Sequence, residues 1–227
     1  MRKHMIICGS PGSGKTLFSA ALAATIAKEQ KRVLLISPNH FIPVLPQFGE
    51  KKHGLGRLFS EEVTLPRFTQ AVMIVRENPF IGILGYGMQE QADNIRELDV
   101  FSSIAEELAD VVIWDLSADV TDPFYRFLME QDWLRVGILT TDIRGLFYYR
   151  EHLQKLSKEI LFLAGQVRPY SPYEEISEKI GGFSGMLPFS RDLEIACLER
   201  RMTEVCKYCH KKYLDTVLRV YEKMEGS

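Results

Sequence analysis

Short apolar runs alternate along the chain with segments whose apolar residues recur at helical spacing. The apolar runs predict strands at residues 5–8, 32–37, 80–86, 110–115, 134–142, 159–165 and 183–187. The segments that predict helices are 17–30, 99–109, 121–131, 143–157 and 172–180. This alternation predicts an α/β fold of three layers, in which a mostly parallel sheet carries helices on both faces. Ligands of such sheets bind outside the carboxyl ends of the strands.

No linker, internal repeat or low-complexity tract interrupts this pattern. The 227 residues are enough for one large hydrophobic core, so we expect a single domain over residues 1–227. Segment 38–67 carries four of the ten prolines and several glycines. We expect it to be the most mobile part of the chain.

The segment CGSPGSGKT, residues 8–16, joins the first predicted strand to the first predicted helix. It fits G-x-x-x-x-G-K-[ST], in which glycines let backbone N–H groups turn inward around a phosphate at a helix N-terminus. Lys15 is expected to reach the β- and γ-phosphates of a nucleotide, and the Thr16 hydroxyl to hold Mg²⁺. The residues expected to contact the nucleotide are Gly9, Ser10, Pro11, Gly12, Ser13, Gly14, Lys15, Thr16 and Leu17.

A phosphate loop of this kind works with a second acidic group on the metal side. The run VVIWD predicts a buried strand that delivers Asp115 to the edge of the sheet, so Asp115 is the expected second metal ligand and a catalytic residue beside Lys15. Asp119 follows four residues later, where a loop leaves the strand. It is interpreted equally well as an outer ligand of the metal or its water and as a turn or helix cap.

Composition and charge narrow the class of protein. Hydrophobic residues at 46% and charged residues at 26% are typical of a soluble globular protein. A net charge of −2 gives no overall attraction to nucleic acid or acidic membrane, although it leaves room for a local basic patch. No apolar run approaches the roughly 18 residues of a transmembrane segment, and the phosphate loop leaves no room for a signal peptide. We expect a cytoplasmic protein with reduced cysteines.

Five segments of the chain together resemble the MinD/ParA family of P-loop ATPases. They are GSPGSGKT, KRVLLISPN, LADVVIWDLSADVTDPF, LRVGILTTDIRGLFYYREHL and GMLPFSRDLEIA, in the usual order of the family. Within the family the sequence most resembles the CpaE/TadZ-like proteins of pilus assembly and secretion. The resemblance implies a homodimer that closes over two ATP molecules and binds a protein partner according to the nucleotide state. It also implies that Pro188 contacts the base, although a plain strand-to-helix turn explains Pro188 as well.

Two residues depart from the family pattern and point to slow hydrolysis. Ser10 stands where many members carry a lysine that reaches across the dimer. Asn39, which the resemblance implies as a third catalytic residue with Lys15 and Asp115, stands where an acid helps to orient the attacking water. Asparagine keeps its hydrogen bonds but accepts no proton. Arg144 is a candidate substitute for the missing cation, but a solvated residue at the start of a helix is the favoured interpretation.

Three functions agree with these residues. The first is an ATP-binding switch with slow or absent hydrolysis, acting in pilus or secretion assembly; the second is a scaffold with a structural or vestigial nucleotide site; the third is a partition-type ATPase on DNA. A kinase is disfavoured because no lid or acceptor site is apparent. ATP is favoured over GTP because no N-K-x-D sequence occurs.

Residues 198–227 predict a C-terminal helix. Its apolar stripe consists of Met202, Cys206, Cys209, Tyr213, Val217 and Val220. Cys206 to His210 also match C-x-x-C-H, a pattern of haem attachment and metal sites. The buried stripe is favoured because free cysteine behaves as a small hydrophobe.

The basic side chains of the segment are Arg200, Arg201, Lys207, Lys211, Lys212, Arg219 and Lys223. They are compatible with a membrane surface, but packing against the domain or a dimer partner is favoured.

Overall fold

The computed structural model describes residues 3–49, 51–92 and 95–226. Its eight strands are β1 (His4–Gly9), β2 (Val33–Ser37), β3 (Met73–Ile74), β4 (Ile81–Gly85), β5 (Val111–Asp115), β6 (Leu134–Thr140), β7 (Ile160–Val167) and β8 (Gly185–Pro188). They form one sheet in the order β3-β4-β2-β5-β1-β6-β7-β8. All neighbouring strands run parallel except β3 and β4, which are antiparallel. The mostly parallel sheet predicted from the apolar runs is confirmed.

Helices connect the parallel strands, as crossovers in such sheets require. They are α1 (Lys15–Ala27), α2 (Leu45–Phe48), α3 (Leu55–Ser60), α4 (Leu65–Ala71), α5 (Leu98–Leu108), α6 (Pro123–Met129), α7 (Ile143–Tyr148), α8 (Tyr173–Ile180), α9 (Arg191–Leu198), α10 (Val205–Tyr208) and α11 (Lys211–Glu225). A π-helical turn at Tyr149–Leu153 and 3₁₀ turns at Gln154–Glu159 and Met202–Glu204 complete the helical structure described.

Side chains of the central strands alternate between two hydrophobic clusters, one on each face of the sheet. In β1, Met5 and Ile7 belong to one cluster, and Ile6 and Cys8 belong to the other. Helices α1, α9, α10 and α11 cover the first face, and α3 to α8 cover the second. Because both faces are covered, the middle residues of the central strands β1, β2 and β5 are all apolar. The predicted three-layer architecture is confirmed.

Polar residues mark the starts of several helices. The side chains of Asp122, Asp142 and Ser190 accept hydrogen bonds from backbone N–H groups in the first turns of α6, α7 and α9. Such caps satisfy N–H groups that have no partner within the helix. They fix where the chain turns from the sheet edge into the following helix.

The structure corrects several predicted boundaries. Residues 143–157 do not form one α-helix, because α7 ends at Tyr148 and π and 3₁₀ turns follow. Segment 38–67, in which no helix was predicted, contains the short helices α2 and α3 and the start of α4. The two-residue strand β3 has no apolar run long enough to predict it.

The single helix predicted over 198–227 is also wrong. The chain is helical in α9, α10 and α11, and it is extended at Cys209 and His210, where the imidazole of His210 caps the start of α11. The apolar stripe nevertheless packs as predicted: Met202, Tyr213, Val217 and Val220 are buried in the cluster that contains α1. None of the helices that the structure describes is long and apolar enough to cross a membrane.

Candidate functional site

The loop between β1 and α1 has a backbone that only glycine adopts readily. Gly9, Gly12 and Gly14 have φ angles of 133°, 69° and 90°. A Cβ atom on Gly9 would lie 1.9 Å from the carbonyl oxygen of Ile138 on the neighbouring strand β6. Two constraints therefore act on Gly9: its left-handed backbone and the close approach of β6.

Lys15 begins α1 and folds back over the loop. Its Nζ donates hydrogen bonds to the carbonyl oxygens of Gly9 and Ser10, both at 3.0 Å. Burial lowers the pKa of Lys15, whereas the nearby Asp115 carboxylate raises it. A desolvated ammonium group inside a loop of backbone N–H groups is a strong attractor for a phosphate.

Asp115 lies at the carboxyl end of β5, nearly inaccessible to solvent. Three hydroxyl groups donate to its carboxylate: Thr16 Oγ1 at 2.7 Å, Ser37 Oγ at 3.0 Å and Ser19 Oγ at 3.5 Å. Burial raises the pKa of Asp115, and these hydrogen bonds and Lys15 oppose that rise. Thr16 and Asp115, predicted as metal ligands from residues 99 positions apart, are brought together. Hard oxygen atoms of this kind suit Mg²⁺.

Ser10 does not face outward from the loop. Its side chain is fully buried, and its Oγ accepts a hydrogen bond of 2.9 Å from the backbone N–H of Thr140 at the end of β6. The same Oγ lies 3.4 Å from Thr140 Oγ1. A lysine at position 10 would have to displace this contact, so Ser10 is a structural link between the loop and the sheet.

Asn39 lies in the loop after β2, two residues beyond Ser37. Its Oδ1 accepts hydrogen bonds of 3.1 Å from the backbone N–H groups of Phe41 and Ile42. This is a local turn in which the side chain replaces a backbone acceptor. The oxygen that was expected to orient a water molecule is thus engaged within its own loop.

Asp119 and Arg144 also make local contacts. Asp119 Oδ1 accepts from the backbone N–H and the hydroxyl of Thr121 at 2.8 and 2.6 Å, as a turn residue does. Arg144 is 74% exposed at its side chain and pairs with Asp142, two residues before it, at 2.6 Å. Its interpretation as a solvated residue at a helix start agrees with this geometry.

A cavity of about 550 Å³ opens beside the phosphate loop at the ends of β6 and β7. Gly12, Thr141, Gln166, Arg168 and Tyr170 contribute to its wall. Pro188 does not line this cavity. It lines a narrow crevice next to it, together with Ser13, Gly14 and Leu17 of the loop and its helix. The structure therefore places Pro188 beside the phosphate loop but outside the wall of the 550 Å³ cavity.

Several residues of this site escaped the sequence analysis. Ser19 and Ser37 donate hydrogen bonds to Asp115, and the backbone N–H of Thr140 donates to Ser10. Gly165 packs closely under the loop, since a Cβ added to it would lie 2.2 Å from the Ser13 carbonyl oxygen. Gln166 has a left-handed φ of 54° and brings its Nε2 to 3.1 Å from where a Gly14 Cβ would be. A signal existed for Ser37, because a polar residue ends a buried strand next to the strand of Asp115.

The C-x-x-C-H segment has no metal-site geometry. Cys206 Sγ donates to the carbonyl oxygen of Ala21 on α1 at 3.5 Å, and His210 Nδ1 accepts from the N–H of Lys212. Within residues 3–49, 51–92 and 95–226, no group of three or more His, Cys, Asp or Glu side chains is placed to hold a metal ion. Cys206 and Cys209 pack against the core, in agreement with the buried stripe.

No protein-family model and no curated protein matches the chain. Solved structures do match it along nearly its whole length. A ParA family ATPase from Chlorobium tepidum is 18% identical with a TM-score of 0.75, and the match covers 96% of this chain and 98% of that one. MinD in the MinC:MinD cell division complex of Aquifex aeolicus is 15% identical with a TM-score of 0.76, and 96% of each chain is covered.

A third structure carries a ligand. The septum site-determining protein MinD of Pyrococcus horikoshii, complexed with Mg-ADP, is 15% identical with a TM-score of 0.68, and the match covers 98% of this chain and 96% of that one. At identities this low, the matches show a shared fold and not a shared activity. The three matched structures and the phosphate-loop geometry together show that the chain has the fold of the MinD/ParA P-loop ATPases.

Proposed function

We propose that the protein is a Mg-ATP-binding molecular switch whose hydrolysis is slow. The observation that carries the proposal is the hydrogen bond of 2.7 Å between Thr16 Oγ1 and Asp115 Oδ2, directly beside the phosphate loop and Lys15. These oxygen atoms suit Mg²⁺, and Lys15 with the loop N–H groups suits the phosphates. The solved MinD structure with Mg-ADP has the same fold. Bound Mg²⁺ would neutralise charge on the phosphate oxygens.

The chain's own residues would divide the work. Lys15 would leave the carbonyl oxygens of Gly9 and Ser10 and donate to phosphate oxygens, and Thr16 and Asp115 would face the metal from α1 and β5. Ser19 and Ser37 would hold the Asp115 carboxylate in place with their hydroxyl groups. Each of these roles is a matter of positioning and electrostatics, which dominate phosphoryl transfer.

Isothermal titration calorimetry with Mg-ATP tests the binding step. We expect saturable binding by the wild type and at least about tenfold weaker binding by Lys15→Ala, because charge-assisted hydrogen bonds to phosphate are lost. Lys28→Ala is the matched control, since Lys28 is an exposed lysine at the end of the same helix. Equal ATP affinity in the wild type and Lys15→Ala would contradict the proposal.

Slow hydrolysis follows from Asn39, which accepts no proton, and from Ser10, which is buried against β6. We expect turnover well below about 1 s⁻¹, the low end of usual enzyme rates. Asn39→Asp should raise turnover, because a carboxylate oxygen accepts the same N–H groups of Phe41 and Ile42 and adds a proton acceptor. Asn78→Asp is the control, since Asn78 makes a similar turn before β4. Wild-type turnover of about 1 s⁻¹ or faster would contradict this account.

A non-catalytic scaffold is the second candidate. It is favoured by the hydrogen bonds that keep Asn39 Oδ1 within its own loop. If the protein binds ATP with no turnover in either the wild type or Asn39→Asp, the scaffold is the better account. A rise in turnover with Asn39→Asp supports the switch.

The proposal also includes an ATP-dependent homodimer and the cellular process in which the protein acts. By its sequence resemblance to CpaE/TadZ-like proteins, the chain would form an ATP-dependent homodimer and serve a pilus or secretion assembly in the cytoplasm. Light scattering should then find a dimer with Mg-ATP in the wild type and a monomer in Lys15→Ala.

Affinity purification from the host tests in which cellular process the protein acts. The ATP-loaded protein is the bait, and Lys15→Ala is the control. Recovery of chromosomal DNA instead of assembly proteins would favour a partition-type role.

A further inference from the structure

The narrow crevice beside the phosphate loop is shared by the two ends of the chain. Ser13 and Gly14 of the loop contribute to its wall, and so does Tyr213 in the first turn of α11. Helix α11 is held on the sheet, because Thr216 Oγ1 donates a hydrogen bond of 2.9 Å to the carbonyl oxygen of Met186 on β8. The crevice is therefore a place where a fixed C-terminal helix meets the phosphate loop.

Two buried hydroxyl groups line this crevice without a partner. Ser13 is 1% exposed and Tyr213 is 4% exposed. In the part of the chain that the structure describes, neither Ser13 Oγ nor the Tyr213 hydroxyl has a hydrogen-bond partner. A buried hydroxyl without a hydrogen bond is costly, and such groups normally bind either protein or an ordered water. Burial raises the pKa of Tyr213, so its phenol stays protonated and can both donate and accept.

The size and the wall of the crevice limit what these hydroxyl groups can bind. The crevice leaves about 10 Å³ for the centre of a water molecule, which is room for one water and too little for a nucleotide base. Gln166 also lines the crevice and packs against Gly14, so its side-chain amide offers a third partner. Of the other polar residues in the wall, Ser190 already accepts from the N–H of Leu193, and Glu194 is exposed to solvent.

We propose that one water molecule bound in this crevice joins Ser13 to Tyr213, and that Tyr213 thereby acts as a positioning residue for the phosphate loop. Water has two donors and two acceptors, and each hydroxyl group donates and accepts, so the bridge satisfies both. Ser13 lies two residues before Lys15, so the water would fix the loop backbone whose N–H groups face the phosphates. The effect on nucleotide binding rests on the proposed function, whereas the water bridge itself does not.

A double-mutant cycle of Ser13→Ala and Tyr213→Phe tests the bridge by urea unfolding without nucleotide. We expect each single variant to raise the unfolding equilibrium constant about tenfold, because loss of either hydroxyl releases the water and leaves the other hydroxyl unpaired. The double variant should be no less stable than the less stable single variant, since no unpaired hydroxyl remains.

Tyr125→Phe provides the control cycle. Tyr125 is also a buried tyrosine whose hydroxyl has no partner among the described residues, but it packs on the other face of the sheet. Its effect should add to that of Ser13→Ala. Additive effects of Ser13→Ala and Tyr213→Phe would overturn the bridge, and so would stability that is unchanged or increased in both single variants. A high-resolution crystal structure of the wild type checks the bridge directly: a water bonded to both oxygen atoms supports it, and no water there overturns it.

Calorimetry with Mg-ATP tests the positioning role separately. Tyr213→Phe should weaken ATP binding about fivefold, the double variant should bind no more weakly than the weaker single variant, and Tyr125→Phe should bind as the wild type does. Wild-type ATP affinity in Tyr213→Phe would overturn the positioning role. If the wild type itself binds no ATP, the proposed function fails, and the unfolding cycle still decides whether the bridge exists.

Discussion

The packing of Gly165 under the phosphate loop leads to a sharp prediction for Gly165→Ala. Gly165 lies on β7, and its backbone does not require glycine, since its φ is not among the positive values. An added Cβ would, however, lie 2.2 Å from the carbonyl oxygen of Ser13. The substitution therefore tests the contact between sheet and loop without testing backbone strain.

The size of the effect follows from that distance. Real Cβ atoms essentially never approach another atom within 3.0 Å, so the loop backbone must move by at least about 0.8 Å. Overpacking of a well-packed interior costs about 1–3 kcal/mol. For a protein of this size each kcal/mol lowers the melting temperature by about 2–4 °C. We also expect ATP affinity to fall by about tenfold, because the N–H groups of the loop move with Ser13.

Urea unfolding and calorimetry with Mg-ATP measure the two effects in the same protein sample. Gly226→Ala is the control, because a Cβ there meets nothing closer than the Glu222 carbonyl oxygen at 3.5 Å. We expect the control to match the wild type within about 0.5 kcal/mol. A free energy of unfolding and an ATP affinity for Gly165→Ala that both equal those of the wild type would refute the contact.

Three further predictions concern other parts of the molecule. Burial lowers the pKa of His4 to about 4, so its stabilisation is complete above pH 6.5 and is lost as the pH falls toward 4. Urea unfolding should show that His4 accounts for about 2 kcal/mol of the free energy of unfolding lost between about pH 7 and about pH 5. His4→Gln should lack this pH dependence, and His53→Gln, a control at an exposed site, should keep it. Burial raises the pKa of Cys209 to about 12 and also raises that of Cys206, so iodoacetamide should alkylate both slowly in the native protein and rapidly in denaturant; rapid native labelling would contradict their packing. ATP should displace labelled ATP at much lower concentration than GTP, because no N-K-x-D sequence is present, and equal displacement would require a different account of base recognition.

Hydrophobic periodicity was sufficient to predict the central sheet. Strands buried on both faces are continuous apolar runs, and the predicted segments 110–115 and 32–37 differ from β5 and β2 by one residue at one end. Periodicity failed at the C-terminus because α10 and α11 pack on the same face of the sheet. The apolar stripe therefore continues across the break at Cys209 and His210, although the helix does not.

The candidate site was predictable only where a single segment carries the chemistry. The loop motif identifies Lys15 and Thr16, and a strand that ends in an acid identifies Asp115. Contacts between segments are different: no local pattern indicates that Ser10 accepts from Thr140, 130 residues away, or that Gly165 lies under Ser13. They depend on which strands become neighbours, which is a property of the whole sheet.

The outer cover of α1 comes from the far end of the chain. Helix α11 packs on α1, Cys206 reaches Ala21, and Tyr221 accepts a hydrogen bond of 2.6 Å from Lys31, just beyond α1. During synthesis on the ribosome, α1 is made almost 200 residues before α11. The side of α1 that α11 covers therefore stays without this cover until nearly all of these residues have been made. The helix that follows the phosphate loop is thus among the first parts of the chain to be made and among the last to be enclosed.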